Sequence, residues 1–277
     1  MNRQESFLNY QAQITETPFL LDIAKAEGCY IYTRDNKKYI DLVAGVSSCT
    51  LGHSHPTIID AIKKQLELHT HVMVYGEFIQ DTPLKLAKAL AEYLPKTLNC
   101  TYLVNSGTEA IEGAIKLAKR KNGRKKVISC INSYHGSTQG SLSAMGKEEM
   151  KEKYKPLIPY HAHIRYNNFE DLKILKHDVS SIIIEPIQGG TNFICADKKW
   201  LKEIREKCNK HSIELIFDEI QTGFGRTGKM FGFELFNIVP DILCVAKGMG
   251  GGMPIGAFIS SKKNMDYLSK NPSLGHI

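Results

Sequence analysis

What most constrains the fold of this 277-residue chain is a series of short apolar runs set among helical patterns. The runs lie around Leu103 and at 127–129, 182–184, 215–217 and 243–245, and helical patterns at 56–68, 83–94, 109–121 and 200–209 alternate with them. A strand that is apolar on both faces needs cover on both faces. The pattern therefore predicts an α/β fold with a mostly parallel central sheet covered by helices on both sides. The first forty or so residues, with a turn at Asp35-Asn36, read as a separate hairpin-bearing segment. No internal repeat or low-complexity linker interrupts the chain.

Two of the runs end in charge. Glu214-Leu215-Ile216-Phe217 reads as a strand ending at Asp218, and Ile242-Leu243-Cys244-Val245 as one leading to Lys247. Open α/β sheets bind ligands at such carboxyl ends. A lysine amine can form an imine with an aldehyde cofactor, and a carboxylate facing a pyridine nitrogen keeps that ring protonated and electron-accepting. Taken singly, an Asp after a β-run is more often a cap and a Lys before glycines a solvated loop residue. The string Gly248-Met249-Gly250-Gly251-Gly252, which leaves room around the amine, and a third block shift the balance. That block is Asn105-Ser106-Gly107-Thr108-Glu109-Ala110, between the strand-like Tyr102-Leu103-Val104 and a helix with Ile111, Ile115 and Ala118 on one face. Free N–H groups and the positive end of the helix dipole make it a phosphate site, with Ser106 and Thr108 hydroxyls beside a close-approach Gly107.

These blocks resemble the class III aminotransferases, pyridoxal-phosphate enzymes of fold type I. Further carriers are Asp41-Leu42, Leu51-Gly52-His53-Ser54-His55-Pro56, Tyr134-His135-Gly136, Glu185-Pro186-Ile187-Gln188-Gly189 and Asp218-Glu219-Ile220-Gln221-Thr222-Gly223-Phe224-Gly225-Arg226-Thr227-Gly228. The resemblance implies pyridoxal 5'-phosphate as cofactor, with Lys247 as its Schiff-base lysine and Asp218 as the pyridinium partner. Gln221 is implied near the ring hydroxyl, Ser106, Gly107 and Thr108 at the phosphate, Tyr134 stacked on the ring, His135 beside it, and Glu185 near the substrate. Physical chemistry allows these roles, since a flat tyrosine stacks on a pyridinium. The plainer readings are a core-edge aromatic for Tyr134 and, for Glu185, a strand-end carboxylate bonded to backbone. The family's layout implies residues 1–45 as part of a small domain, 46–277 as the cofactor-binding large domain, and a homodimer.

Other function classes fare worse. Gly223-Phe224-Gly225-Arg226-Thr227-Gly228 satisfies a dinucleotide fingerprint, yet Lys229-Met230-Phe231-Gly232-Phe233-Glu234 continues without a helical stripe, and Asp241 precedes its strand instead of ending it. Nicotinamide-dependent oxidoreduction is therefore disfavoured. With 42% hydrophobic and 23% charged residues and no apolar run of about 18, the chain reads as globular and cytoplasmic, without a membrane span or a leader. Seven cysteines without CxxC spacing argue for reduced thiols and against a zinc site, and the pairs His53/His55 and His69/His71 lack further ligands, so no metal is expected. The +7 charge concentrates partly in Lys116, Lys119, Arg120, Lys121, Arg124, Lys125 and Lys126. We read that run as a helix's solvated C-terminal end before Gly123, with no nucleic-acid partner.

The resemblance implies transfer of an amino group from an amino acid to a 2-oxo acid, with an acetylornithine-type donor and 2-oxoglutarate as acceptor. Ornithine, succinyl-diaminopimelate and 4-aminobutyrate donors share the same blocks. Gly190 departs from the second glutamate that ornithine-type members often carry after Gln188-Gly189. After Leu274-Gly275-His276-Ile277 a family member would continue into a Thr-rich loop and a C-terminal small domain. The expectation is thus a truncated or split enzyme, with little or no activity by itself if Ile277 is the true end, or an incomplete sequence, or a non-catalytic remnant that retains cofactor or partner binding.

Overall fold

The computed structural model of the protein describes residues 1–73 and 76–270. Leu274-Gly275-His276-Ile277, on which the reading of the chain's end turns, lies outside them. Two compact units are present, Met1–Val72 and a second beginning at Met73.

In the first unit, helix α1 (Arg3–Tyr10) starts at a capping box in which Asn2 and Glu5 each accept the other's backbone N–H at 2.8 Å. Strands β1 (Ile23–Glu27), β2 (Tyr30–Thr33) and β3 (Lys38–Ile40) form an antiparallel sheet in that order, and Asn36, at φ 62, makes the turn between β2 and β3. A short turn of helix, α2 (Ala44–Ser47), is followed by α3 (Pro56–Leu68), which opens on a proline that needs no N–H partner there. His53 Nε2 lies 2.7 Å from Asp41 Oδ2.

The second unit runs α4 (Asp81–Tyr93), β4 (Cys100–Val104), α5 (Gly107–Asn122), β5 (Lys126–Cys130), α6 (Gln139–Ala144), β6 (His161–Ile164) and β7 (Val179–Ile184). It continues with β8 (Ile187–Gln188), β9 (Ile194–Cys195), α7 (Lys198–His211), β10 (Glu214–Asp218), α8 (Phe233–Phe236), β11 (Ile242–Val245), β12 (Gly256–Ser260) and α9 (Lys262–Ser269). Seven strands form one sheet in the order β4-β12-β11-β10-β7-β5-β6. Strands β11, β10, β7, β5 and β6 are parallel, and β12 is antiparallel to both neighbours, so β4 runs with the majority.

Alternate residues of each central strand enter opposite layers. Ile182, Ile184, Leu215, Phe217, Leu243 and Val245 pack with Trp200, Leu201 and Ile204 of α7 and Leu90 of α4. Ile183, Ile216, Ile242 and Cys244 pack with Ala110, Ile111, Ala114, Leu117 and Ala118 of α5. Both layers are dry, which is why these runs carry no polar alternation. Helix α5 begins at the N-cap Ser106, ends at the left-handed Gly123 (φ 70), and places Lys119, Arg120 and Lys121 in its last turn, where they complement the dipole. Among the described residues no helix is long and apolar enough to cross a membrane.

Strands β6 and β12 are additions to the sequence reading. His161 and His163 interrupt the apolar signal in β6, and His163 instead bonds Ser129 and Lys151 at 2.8 Å each. In β12, Gly256-Ala257-Phe258-Ile259 follows the glycine string and merges with its loop chemistry.

Candidate active site

Because their strands are parallel, the carboxyl ends of β4, β5, β7, β10 and β11 share one sheet edge. The expected site residues sit there: Ser106, Gly107 and Thr108 after β4, Tyr134 and His135 after β5, Glu185 just past β7, Asp218 closing β10, and Lys247 just past β11.

Asp218 is 4% exposed and His135 1%. His135 Nδ1 donates to Asp218 Oδ2 at 2.8 Å, and the Ile220 N–H donates to Oδ1 at 3.1 Å. Burial disfavours the imidazolium, but the Asp218 hydrogen bond, the Asp218 charge and the nearby Glu185 charge prevail and hold His135 above its ordinary value. The other ring nitrogen, Nε2, is buried without a hydrogen-bond partner. Lys247 stands at φ 44 and carries no ion pair among the described residues. Burial lowers its amine's pKa against the opposing pull of Asp218 and Glu185. A less basic amine is the kind that serves as nucleophile and proton carrier.

Glu185 takes the plainer of its two readings as far as its bonds go. Its Oε1 accepts from the Tyr134 N–H at 2.9 Å and its Oε2 from the Gly189 N–H at 3.0 Å. Burial raises its pKa and Asp218 adds to that, while His135 and the two N–H groups oppose it. Gln221 packs against Gly189 so closely that a Cβ there would overlap its amide. Glu185, Gly189 and Gln221 thus form one contact chain, and Tyr134 is held by its backbone while its ring stays exposed, with its hydroxyl 3.2 Å from Ser137 Oγ.

At the other side, Ser106 Oγ accepts from the Glu109 N–H at 3.3 Å and caps α5. A Cβ on Gly107 would lie 2.8 Å from Ile220 Cδ1, so the start of α5 packs closely on the segment after Asp218 and a side chain there would make Ile220 shift. Thr108 Oγ1 lies 2.7 Å from both Thr138 Oγ1 and Ser141 Oγ.

Three supporting residues escaped the sequence reading. Glu112 accepts from the Thr138 hydroxyl and from the N–H groups of Gly140 and Ser141 at 2.8 and 2.9 Å, tying the start of α6 to α5. Thr138-Gln139-Gly140-Ser141 carried the cap signal that could have revealed that helix start. Ser141 closes the cluster. Glu219, fully buried, shapes the glycine-rich segment that imitates a dinucleotide fingerprint. Its carboxylate accepts from Phe233 N–H at 2.6 Å, from Gly232 N–H, and from the Thr222 hydroxyl at 3.0 Å. Burial, against these donors, pushes its pKa up to about 7. The segment it closes is a series of turns with Gly225 and Gly228 at φ 87 and 84, and no helix opens on its glycines.

The family model described as Aminotransferase class-III matches residues 11–276. Among curated relatives, an acetylornithine aminotransferase of Methanopyrus kandleri is 40% identical over 252 residues, which are 90% of this chain and 64% of that protein. A [LysW]-aminoadipate semialdehyde/glutamate semialdehyde transaminase of Sulfolobus acidocaldarius is 39% identical over 85% of this chain and 60% of its own length. The chain therefore spans less than two thirds of the length of these relatives. Among solved structures, the ornithine aminotransferase of Toxoplasma gondii aligns with a TM-score of 0.88 at 30% identity, over 97% of this chain and 66% of that one. The taurine:2-oxoglutarate aminotransferase of Bifidobacterium kashiwanohense, solved with PLP and glutamate, aligns with a TM-score of 0.89 at 29% identity, over 98% of this chain and 67% of its own. By sequence and by fold alike, the chain belongs to the class III aminotransferases.

Proposed function

We propose that this chain is the catalytic core of a pyridoxal-phosphate-dependent aminotransferase that moves an amino group from an amino acid to a 2-oxo acid. One observation carries the reading: a buried carboxylate, Asp218, held by His135 at 2.8 Å at the end of β10, with the half-buried Lys247 amine at the end of the adjacent β11.

The residues fit the cofactor. Among the described residues His135 Nε2 is buried without a hydrogen-bond partner, and the N-terminal N–H groups of α5 at Gly107 and Thr108 suit a phosphate. Lys247, Asp218, Tyr134, His135, Gln221, Ser106, Gly107 and Thr108 would hold it. When bound, pyridoxal phosphate supplies an aldehyde for amines and a protonated ring that withdraws electrons from the substrate's Cα. The protein's own work is then divided. Asp218 keeps the proton on the ring nitrogen, and the His135 Nδ1–H fixes the orientation of that carboxylate. The Lys247 amine, made less basic by burial, would take the proton from the substrate's Cα and deliver it two bonds away, across the nitrogen. The tight Glu185–Gly189–Gln221 chain keeps the wall beside the ring from shifting.

An acetylornithine-type donor is supported by relatives named acetylornithine aminotransferase at about 40% identity, and 2-oxoglutarate as acceptor by the likeness to the taurine:2-oxoglutarate aminotransferase. A homodimer follows the family pattern. A reducing, cytoplasmic setting is supported by seven free cysteines. The test is a coupled assay of glutamate formation from N-acetylornithine and 2-oxoglutarate with added pyridoxal phosphate. Activity in the natural protein and none in Lys247→Ala is expected. Activity that survives the substitution overturns the reading.

A further inference from the structure

One cation at the same sheet edge has no place in that scheme. Lys147 follows Gly146, whose backbone is clamped: the Asn132 N–H donates to Gly146 O at 3.0 Å, and the Gly146 N–H to Ser133 O at 3.1 Å. A Cβ on Gly146 would overlap the Cys130 carbonyl, so this strip of chain is seated directly against the segment leading to Tyr134 and His135. The clamp aims the Lys147 side chain across the turn after β7. Its Cε and Nζ come within 3.4 and 3.7 Å of where a Cβ of Gly190 would stand. Gly190 follows Gly189, which holds Glu185 on one side and meets Gln221 on the other.

Lys147 is only partly exposed and carries no ion pair among the described residues. The neighbouring acids are committed elsewhere, Glu148 to Lys151 and Lys155, and Glu185 to two backbone N–H groups. An ammonium without an ion pair, on a partly exposed residue beside a position without a side chain, has room for an anion. Lys147 belongs to the β5–β7 side of the sheet and Lys247 to β11. With strands about 4.8 Å apart, the two backbone positions are offset along the sheet by roughly two to three strand spacings.

We propose that Lys147 is a specificity-determining residue that receives the distal carboxylate of a dicarboxylic substrate, the 2-oxo dicarboxylic acid or the matching dicarboxylic amino acid. Gly190 keeps the seat open, and an acidic side chain at that position would fill it by pairing with Lys147. This assignment rests on the aminotransferase reading for the reacting end of the substrate, but the charge contact itself does not depend on turnover.

The experiment compares the natural protein with Lys147→Met, Lys147→Arg and Gly190→Glu, each loaded with pyridoxal phosphate, using 2-oxoglutarate and pyruvate as acceptors. Lys147→Met should raise KM for 2-oxoglutarate about ten-fold while leaving that for pyruvate and the kcat little changed. Lys147→Arg should retain most of the preference, and Gly190→Glu should mimic Lys147→Met. Equal effects on both acceptors, or none, would overturn the proposal. Titration with glutarate, an unreactive dicarboxylate, separates the two claims. If no variant, nor the natural protein, turns over but Lys147→Met still weakens glutarate binding about ten-fold, the aminotransferase reading fails and the anion seat stands. Glutarate binding that is absent, or unchanged by the substitution, sinks the seat whatever the turnover.

Discussion

At the residue scale the account turns on Asp218 and the imidazole behind it. Asp218→Asn keeps the shape and the Ile220 contact but cannot hold a ring-nitrogen proton. Turnover should fall by a factor corresponding to a few kcal/mol, since charged hydrogen bonds in buried sites are worth about that, while the cofactor still binds. Visible absorbance of the bound cofactor beside a rate measurement checks this, and a rate within a few-fold of the parent would give the role to another carboxylate. His135 makes a pH prediction. Its folded pKa lies above the ordinary 6.5 because Asp218 and Glu185 outweigh burial, so its contribution to stability is complete below that value and is lost as pH rises through the higher folded pKa. His135→Gln removes the contribution. Thermal unfolding from about pH 5 to about pH 9 should show the natural protein's advantage shrinking as pH rises, and a gap that stays constant or grows would contradict a raised folded pKa.

At the element scale, strands dry on both faces were legible, because Ile182-Ile183-Ile184 and Leu215-Ile216-Phe217 have no polar residue to confuse the period. Helices α3, α4, α5 and α7 were legible to within about two residues, and at α5 the cap Ser106 and the stop Gly123 mark both ends, whereas α1, α6 and α9 carried no pattern that announced them. Strand β12 was not, since its connection from β11 is too short for a crossover helix and forces an antiparallel return that alternation rules do not anticipate. In the site, residues whose chemistry is in the side chain, such as Asp218 and Lys247, announced themselves. Supporting residues such as Glu112 and Glu219 did not, because their partners are backbone N–H groups up to 29 residues away in sequence. Two substitutions probe the frame. Ile183→Ala should cost about 2–5 kcal/mol, as a fully buried side chain between β7 and α5 leaves a cavity. Gly146→Ala forces a Cβ onto the Cys130 carbonyl and should cost about 1–3 kcal/mol or more, with the Tyr134 segment displaced. Urea unfolding measures both, and values near zero would show that these layers repack.

At the scale of the whole molecule, one sheet edge collects the ends of five strands, and with them three buried carboxylates, one buried imidazole and two amines without ion pairs among the described residues. Parallel topology alone explains why positions as far apart in sequence as 106, 135, 185, 218 and 247 meet there. The central claim is that the amine which carries the cofactor is Lys247. Borohydride reduction of the pyridoxal-phosphate-loaded protein, followed by digestion and mass mapping, tests it directly. A single pyridoxyl label on the peptide containing Lys247 is the predicted result, and a label confined to any other lysine would contradict the account.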